Sequence, residues 1–373
     1  MNKVSLNGIL LSATFRNTRS FSIGRWYCSS TSTTQSQFLS YDKDPGPAFI
    51  RQDVQKLLRS MTRLELDKVF RKRAVKNNTV EYRFMTDEQL REEVKKSIGR
   101  AEKLLQMPPI VAAMKENPQV ISRDPALSGF SDTKMVFTDI SFGLRNNKRT
   151  IVERLTDGTL QEASYETKKR LNQIYFPLKG RKIRTPKMFD SAELNKILDS
   201  GEYEFVLNKA CVQFEPFEKE YHDITSAVFQ HVNENKAFDV LRSTRHFGPM
   251  CFFLVWQRLV DDLLLDMIKR NYMRNAVELV FLHCTLHDVS VDAEGSEQLK
   301  EHILSTEAPI IESNKRTVQE LEQDEKFLSL VERFVLQHCV KKVQLNLAIA
   351  ANREMINDRI KLAEGIRKMH GER

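Results

Sequence analysis

The chain has 373 residues with 58 basic and 50 acidic side chains, a formal net charge of +8, 41% apolar and 29% charged residues. That balance belongs to a globular but rather polar protein, and it excludes fibrous or low-complexity classes. The longest apolar run, Met250 to Trp256, stops at Gln257-Arg258, far short of the about twenty residues a membrane span needs. Five scattered cysteines with no CxxC exclude a disulfide framework and fit a reducing compartment.

No acidic residue precedes Asp42, whereas Lys3, Arg16, Arg19 and Arg25 do, among many Ser and Thr. This is the composition of a mitochondrial presequence, drawn across a membrane that is negative inside. Leu6, Ile9, Leu10, Ala13 and Phe15 share roughly one side of a helix, and Arg25 stands two positions before an expected cleavage after Tyr27. Residues 1–27 are therefore read as a transit peptide to the mitochondrial matrix, and 28–48 as a flexible linker. A tail without an address is the alternative, and the apolar run is too short for a secretory signal. Removing four basic residues leaves +4, so half the apparent basicity is import chemistry.

Residues 49–126 read as a helical segment followed by a Pro-rich extended loop. Val54, Leu57, Leu58 and Met61 recur at helical spacing, Thr86 can cap a helix holding Leu90, Val94 and Ile98, and Pro108-Pro109, Pro118 and Pro125 break the chain. Residues 127–190 read as a β-meander with a helix. Lys134–Phe142 and Arg149–Leu155 are β-branched and aromatic, Asn146-Asn147 offers a turn, and Asp157-Gly158 is a hairpin signal before Thr159-Leu160. Ser164 then caps a helix that ends before Pro177. A helical domain follows over 191–290, with segments expected at 191–199, 203–214, 218–233, 236–245, 251–273 and 274–287. A polar loop covers 291–325. Val331, Phe334, Val335, Cys339, Val343 and Ile349 mark a C-terminal helix over 326–373. The fold class expected is mainly α, an elongated multi-helix body with a small antiparallel meander near 134–162 and a long C-terminal helix.

Catalytic signatures are missing: GxGxxG, Walker A, GxSxG, HExxH and paired CxxC do not occur. His283 and His287 are four apart and share a helix face, but structural zinc needs four ligands and no partner pair is near in sequence. Satisfied helix histidines are the better reading, and no metal or cofactor is expected. Cys211, Cys251 and Cys339 lie in apolar stretches and read as core.

The charge is localised. Between Ser141 and Asp190 stand twelve basic residues and five acidic ones, a net of +7, so the rest of the chain beyond residue 27 sums to −3. Arg145, Lys148 and Arg149 cluster at a hairpin tip, Lys168, Lys169 and Arg170 on a helix, and Lys179, Arg181, Lys182, Arg184 and Lys187 in a loop. Such cations suit the phosphates of a polyanion, with binding that weakens steeply in salt. A solvated charged face is the alternative. Arg242 and Arg245 could add phosphate or carboxylate contacts, and a helix-end salt bridge is equally consistent.

Seven stretches carry a resemblance. They are Met61-Thr62-Arg63-Leu64-Glu65-Leu66 with Lys68 and Phe70, Met107-Pro108-Pro109, Val136-Phe137-Thr138-Asp139-Ile140-Ser141, Ile174-Tyr175-Phe176-Pro177, Gly180-Arg181-Lys182-Ile183 with Thr185-Pro186, Gln213-Phe214-Glu215-Pro216, and Leu241-Arg242-Ser243-Thr244-Arg245. In this order, over residues 50 to 290, the chain resembles the family of mitochondrial small-subunit ribosomal proteins numbered twenty-two, found in animal mitoribosomes. His246 and Pro249 stand where the family carries Tyr and Gly, which argues against catalysis by His246, and beyond about residue 290 the resemblance fades. It implies a non-enzymatic subunit built among other mitochondrial small-subunit ribosomal proteins and ribosomal RNA, neither membrane-bound nor a homo-oligomer. A non-ribosomal matrix adaptor that binds protein or messenger RNA is the second reading, and a metal enzyme using His283 and His287 the third.

Overall fold

The computed structural model describes residues 39–71, 82–290, 296–305 and 318–369, all in the second of the chain's two units, Phe38–Arg373. The transit peptide expected at 1–27, with Lys3, Arg16, Arg19 and Arg25, lies outside the described residues, as does the linker to residue 38. Over the described residues the fold is mainly helical with one small antiparallel sheet, as the sequence predicts.

The chain enters through α1 (Gly46–Ile50) and α2 (Gln52–Thr62), then α3 (Leu66–Val69) and α4 (Asp87–Leu104). The four periodic residues of α2, Val54, Leu57, Leu58 and Met61, are all buried. A capping box opens α4: Gln89 N donates to Thr86 Oγ1 at 3.4 Å, and Thr86 N donates to Gln89 Oε1 at 3.2 Å.

The sheet has four strands, β1 (Val120–Arg123), β2 (Met135–Thr138), β3 (Ile151–Arg154) and β4 (Thr159–Glu162), in the order β1-β4-β3-β2 with every pairing antiparallel. Strands β2 to β4 are the expected meander. Strand β1 is an addition, drawn from the stretch read as a Pro-rich loop. All four of its residues are exposed, so no alternation of burial announced it. The expected first strand, Lys134–Phe142, ends at Thr138, and the chain beyond it turns into a loop.

Gly158 sits in the β3–β4 turn at φ +82°, where a Cβ would come within 2.1 Å of the Asp124 carbonyl oxygen. Asp124 N in turn donates to Gly158 O at 3.3 Å, so this turn is the seat on which the end of β1 rests. Gly158→Ala is expected to lose about 1–3 kcal/mol from the left-handed conformation alone, with further loss from the collision. Urea unfolding together with hydrogen exchange at 120–124 reads both effects, and a stability equal to the parent chain would contradict this role for the glycine.

After α5 (Tyr165–Tyr175), whose N-terminus is capped by Ser164, come α6 (Ser191–Asp199), α7 (Tyr203–Gln213), α8 (Lys219–Glu234), α9 (Phe238–Leu241), α10 (Phe247–Trp256), α11 (Asp261–Lys269) and α12 (Met273–His287). The core centres on α10, in which every residue from Phe247 to Val255 is buried, wrapped by α2, α8 and α12. Fully burying a Phe, Leu or Val contributes about 1.5–3 kcal/mol each, so the packing of this helix is a large source of cohesion. One helix was expected over 251–273, and two are found. Arg258 adopts φ +58° and Leu259 N donates to Leu254 O at 2.8 Å, a left-handed close that ends α10 without a glycine.

The C-terminal part consists of α13 (Ser296–Ser305), α14 (Val318–His338) and α15 (Lys342–Met369). The polar stretch read as a loop over 291–325 thus holds α13 and the start of α14. The C-terminal helix is long, at 28 residues, but the apolar stripe assigned to it is divided between α14 and α15. Asp261 Oδ2 accepts N–H bonds from Val340 at 2.9 Å and Lys341 at 2.8 Å, which fixes the break. Val343 is 84% exposed, whereas Val331, Phe334, Val335, Cys339 and Ile349 are buried. No described helix is long and apolar enough to cross a membrane.

Candidate nucleic-acid interface

Two loops carry most of the cations, and each is held from beneath by a buried polar side chain. In the first, residues 139–149, Arg149 is 6% exposed. Its Nη1 donates to Asp139 O at 3.2 Å and Ser141 O at 2.7 Å, and its Nη2 to Leu144 O at 3.0 Å. The guanidinium carbon also lies 3.3 Å from the centre of the Phe176 ring, just past α5. Asn146 Nδ2 donates to Phe176 O and Asn172 Nδ2 to Asn146 O, at 3.4 and 3.3 Å, so the loop is docked on the end of α5. Arg149 was expected among the RNA contacts. In the structure its two Nη groups are engaged by the loop's own carbonyls and the side chain is buried. Arg145 and Lys148 are exposed and have no ion pair among the described residues.

The second loop follows Phe176. Gln173, buried at the end of α5, donates to Arg181 O at 3.0 Å and accepts from Leu178 N at 3.3 Å. Buried Gln213 exchanges two hydrogen bonds with the backbone of Lys182, both at 2.9 Å. Arg181 donates from Nε to Val212 O at 3.0 Å and from Nη2 to Glu215 Oε1 at 2.8 Å, so it is an internal pair instead of a free cation. Lys179, Lys182, Arg184 and Lys187 are exposed, with no ion pair among the described residues.

On α5 itself, Lys168 bonds Glu162 at 2.8 Å, and Lys169 pairs with Glu218 while lying 5.1 Å over the Phe214 ring. Buried Glu218 also accepts from Tyr165 Oη at 2.9 Å and Glu215 N at 3.0 Å. Burial and that carboxylate push the Tyr165 hydroxyl far above its ordinary value. Arg170 alone of this trio is exposed and without an ion pair among the described residues.

Arg242 and Arg245 stand apart from these loops. Arg242 is 1% exposed, donates from Nη2 to Asp266 Oδ2 at 2.9 Å, and lies 3.7 Å from Asp239 Oδ1. Tyr272 is flanked by the Arg63 and Arg242 guanidinia at 3.8 and 4.8 Å from its centre. Burial draws the Asp239 carboxyl upward, but Lys68, Arg270 and Arg242 outweigh it and hold it below the usual carboxylate range. Arg242 is thus enclosed and paired with carboxylates, the salt-bridge alternative for this residue. Arg245 donates from Nε to Asn208 Oδ1 at 3.0 Å beside His246. Burial, reinforced by Arg245, pushes His246 down to about 3, so it is a neutral packing residue.

His283 and His287 do meet on one face of α12, with ring centres 4.6 Å apart, and His338 lies 5.8 Å from His283. Burial, then its two histidine neighbours, push His283 down to about 4. His287 Nε2 is spent on Val255 O at 2.9 Å. Among the described residues no group of three or more side chains is arranged to hold a metal ion.

The residues that sequence reasoning missed, Gln173, Phe176, Gln213 and Glu218, are those that shape the loops. A signal existed for two of them, because Phe176 and Gln213 fall inside stretches that carry the resemblance. The stretches converge in space: Arg181 meets Glu215 and Lys182 meets Gln213, while Arg149, which lies outside them, joins Ser141 O to the Phe176 ring. Likewise Ser243 N donates to Thr62 O at 3.0 Å.

Comparison with known proteins gives a consistent match. The family model described as mitochondrial 28S ribosomal protein S22 matches residues 47–288. The small ribosomal subunit protein mS22 of Mus musculus is 35% identical over 255 residues, covering 68% of this chain and 70% of that protein. The protein of the same name from Bos taurus is equally similar, 35% over 255 residues with the same shares covered. The matched segment contains both cationic loops and stops where α12 ends, so α13 to α15 fall outside it.

Proposed function

The chain belongs to the mitochondrial 28S ribosomal protein S22 family, and we propose that it is a structural constituent of the mitochondrial small ribosomal subunit. Its work there is scaffolding, without a catalytic site of its own, among other ribosomal proteins and ribosomal RNA. The observation that carries the RNA-facing part is the pair of docked loops. They expose Arg145, Lys148, Lys179, Lys182, Arg184 and Lys187, unpaired by any carboxylate among the described residues, on backbones fixed by Arg149, Gln173 and Gln213. Held cations of this kind neutralise phosphates along a strand and release its counterions. They read position and shape, because phosphate contacts carry no base information. Arg170 is the remaining exposed candidate of the thirteen.

Residues 1–27, with their four basic and no acidic side chains, support delivery to the mitochondrial matrix. Ultraviolet cross-linking of purified mitochondrial small subunits tests the RNA-facing reading. RNA-linked peptides from this protein should come from 139–149 or 176–187, and links confined to other segments would overturn it.

A further inference from the structure

The one aromatic side chain of the first loop, exposed with Ile140 and Leu144, is unexplained by phosphate binding. Phe142 is 95% exposed at the outer turn of the first loop, beside Gly143. A single exposed phenylalanine is ordinary. This one stands on a loop whose three carbonyls are tied to a buried arginine, and its ring meets Phe176 edge-on, with centres 6.1 Å apart and planes at 88°. Burying a guanidinium has a desolvation cost, and here it fixes the shape of an exposed turn and seats that turn on Phe176. Fixing a loop in its bound shape is what lowers the entropy lost on binding.

The neighbours of the ring indicate what it meets. Arg145 and Lys148, three and six residues on, are exposed cations without an ion pair among the described residues. The loop's one carboxylate, Asp139, accepts from Ser141 N at 2.9 Å and so is engaged locally. An open aromatic face beside unpaired cations is the combination that holds single-stranded nucleic acid, with a base stacked on the ring and flanking phosphates on the cations. A duplex keeps its bases stacked internally and offers no such face. We propose that Phe142 is a stacking platform for one unpaired base of an RNA strand whose phosphates lie along Arg145 and Lys148. This inference rests on the RNA-facing reading above and adds the class of RNA, single-stranded with an unstacked base.

The test uses the full chain and a fluorescein-labelled single-stranded RNA of about twelve nucleotides, free or annealed to its complement, with anisotropy across a salt titration. Phe142→Ala is expected to weaken single-strand binding about tenfold, leave the salt slope unchanged and leave duplex binding untouched. Phe142→Trp should restore the affinity, whereas Phe142→Leu, which keeps apolar bulk without a π-face, should not. Since the side chain is exposed, all three variants should melt like the parent chain. If the alanine variant binds single strands normally while Arg145→Glu with Lys148→Glu binds them poorly, the stacking site is wrong and the RNA surface stands. If neither set of changes matters, the RNA-facing reading itself fails. Normal RNA binding together with poor incorporation of Phe142→Ala into the subunit would assign the ring to an apolar protein pocket and overturn the proposal.

Discussion

Arg242→Ala is expected to lower the unfolding free energy by about 3–5 kcal/mol, a large share of the stability of an ordinary domain. The side chain is wholly enclosed, with Asp266 at 2.9 Å and Asp239 at 3.7 Å, and its guanidinium carbon lies 4.8 and 5.0 Å from the ring centres of Tyr272 and Phe247. Removing it leaves a void beside two partly covered carboxylates, with Arg270 and Lys68 their remaining partners among the described residues. Arg242→Lys keeps the charge but loses the planar fork that reaches both carboxylates, so it should recover part of the loss and not all of it. Urea unfolding followed by circular dichroism measures both variants. A loss below about 1 kcal/mol for the alanine variant would mean that the carboxylates relax into water and the cluster is dispensable.

The second large effect concerns the loop at 176–187. Replacing Lys179, Lys182 and Arg184 together by Glu should abolish most RNA binding at moderate salt. It should also flatten the dependence of log affinity on log salt by about two, since each neutralised phosphate of a single strand contributes roughly 0.7. The melting temperature should hardly move, because all three side chains are exposed and none is paired among the described residues. Arg181→Glu should behave differently. That residue bonds Glu215 at 2.8 Å and Val212 O at 3.0 Å, so reversal sets two carboxylates against each other and loosens the loop. Loss of stability with a nearly unchanged salt slope is expected there. If the triple reversal left the slope as it was, the loop would be a solvated face and the ribosomal contacts of this region would be made by protein.

The contrast between Arg181 and its neighbours illustrates what a sequence can reveal. Periodicity and turn chemistry are local, so α2, α5 to α8 and the β2–β4 meander were legible from residues such as Val54, Ser164 and Asp157-Gly158. Pairing is not local. Whether a cation is free depends on Glu215, Glu218 or Asp266, dozens of residues away, and nothing in a run of Lys and Arg distinguishes Lys182 from Arg181. The break between α10 and α11 was missed for a related reason. Arg258 takes φ near +58° without a glycine to mark it. The division between α14 and α15 is set by Asp261, on a helix far earlier in the chain. Strand β1 could not be read because its four residues are all exposed and its pairing is a matter of backbone alone.

The central claim is membership of the mitochondrial small ribosomal subunit, and gradient sedimentation of a mitochondrial lysate tests it most directly. The protein should migrate with small-subunit ribosomal RNA in the monosome, and move with that RNA to the small-subunit fractions when EDTA splits the particle. Recovery at the top of the gradient in both conditions would contradict the account and favour a matrix adaptor that is not part of the ribosome.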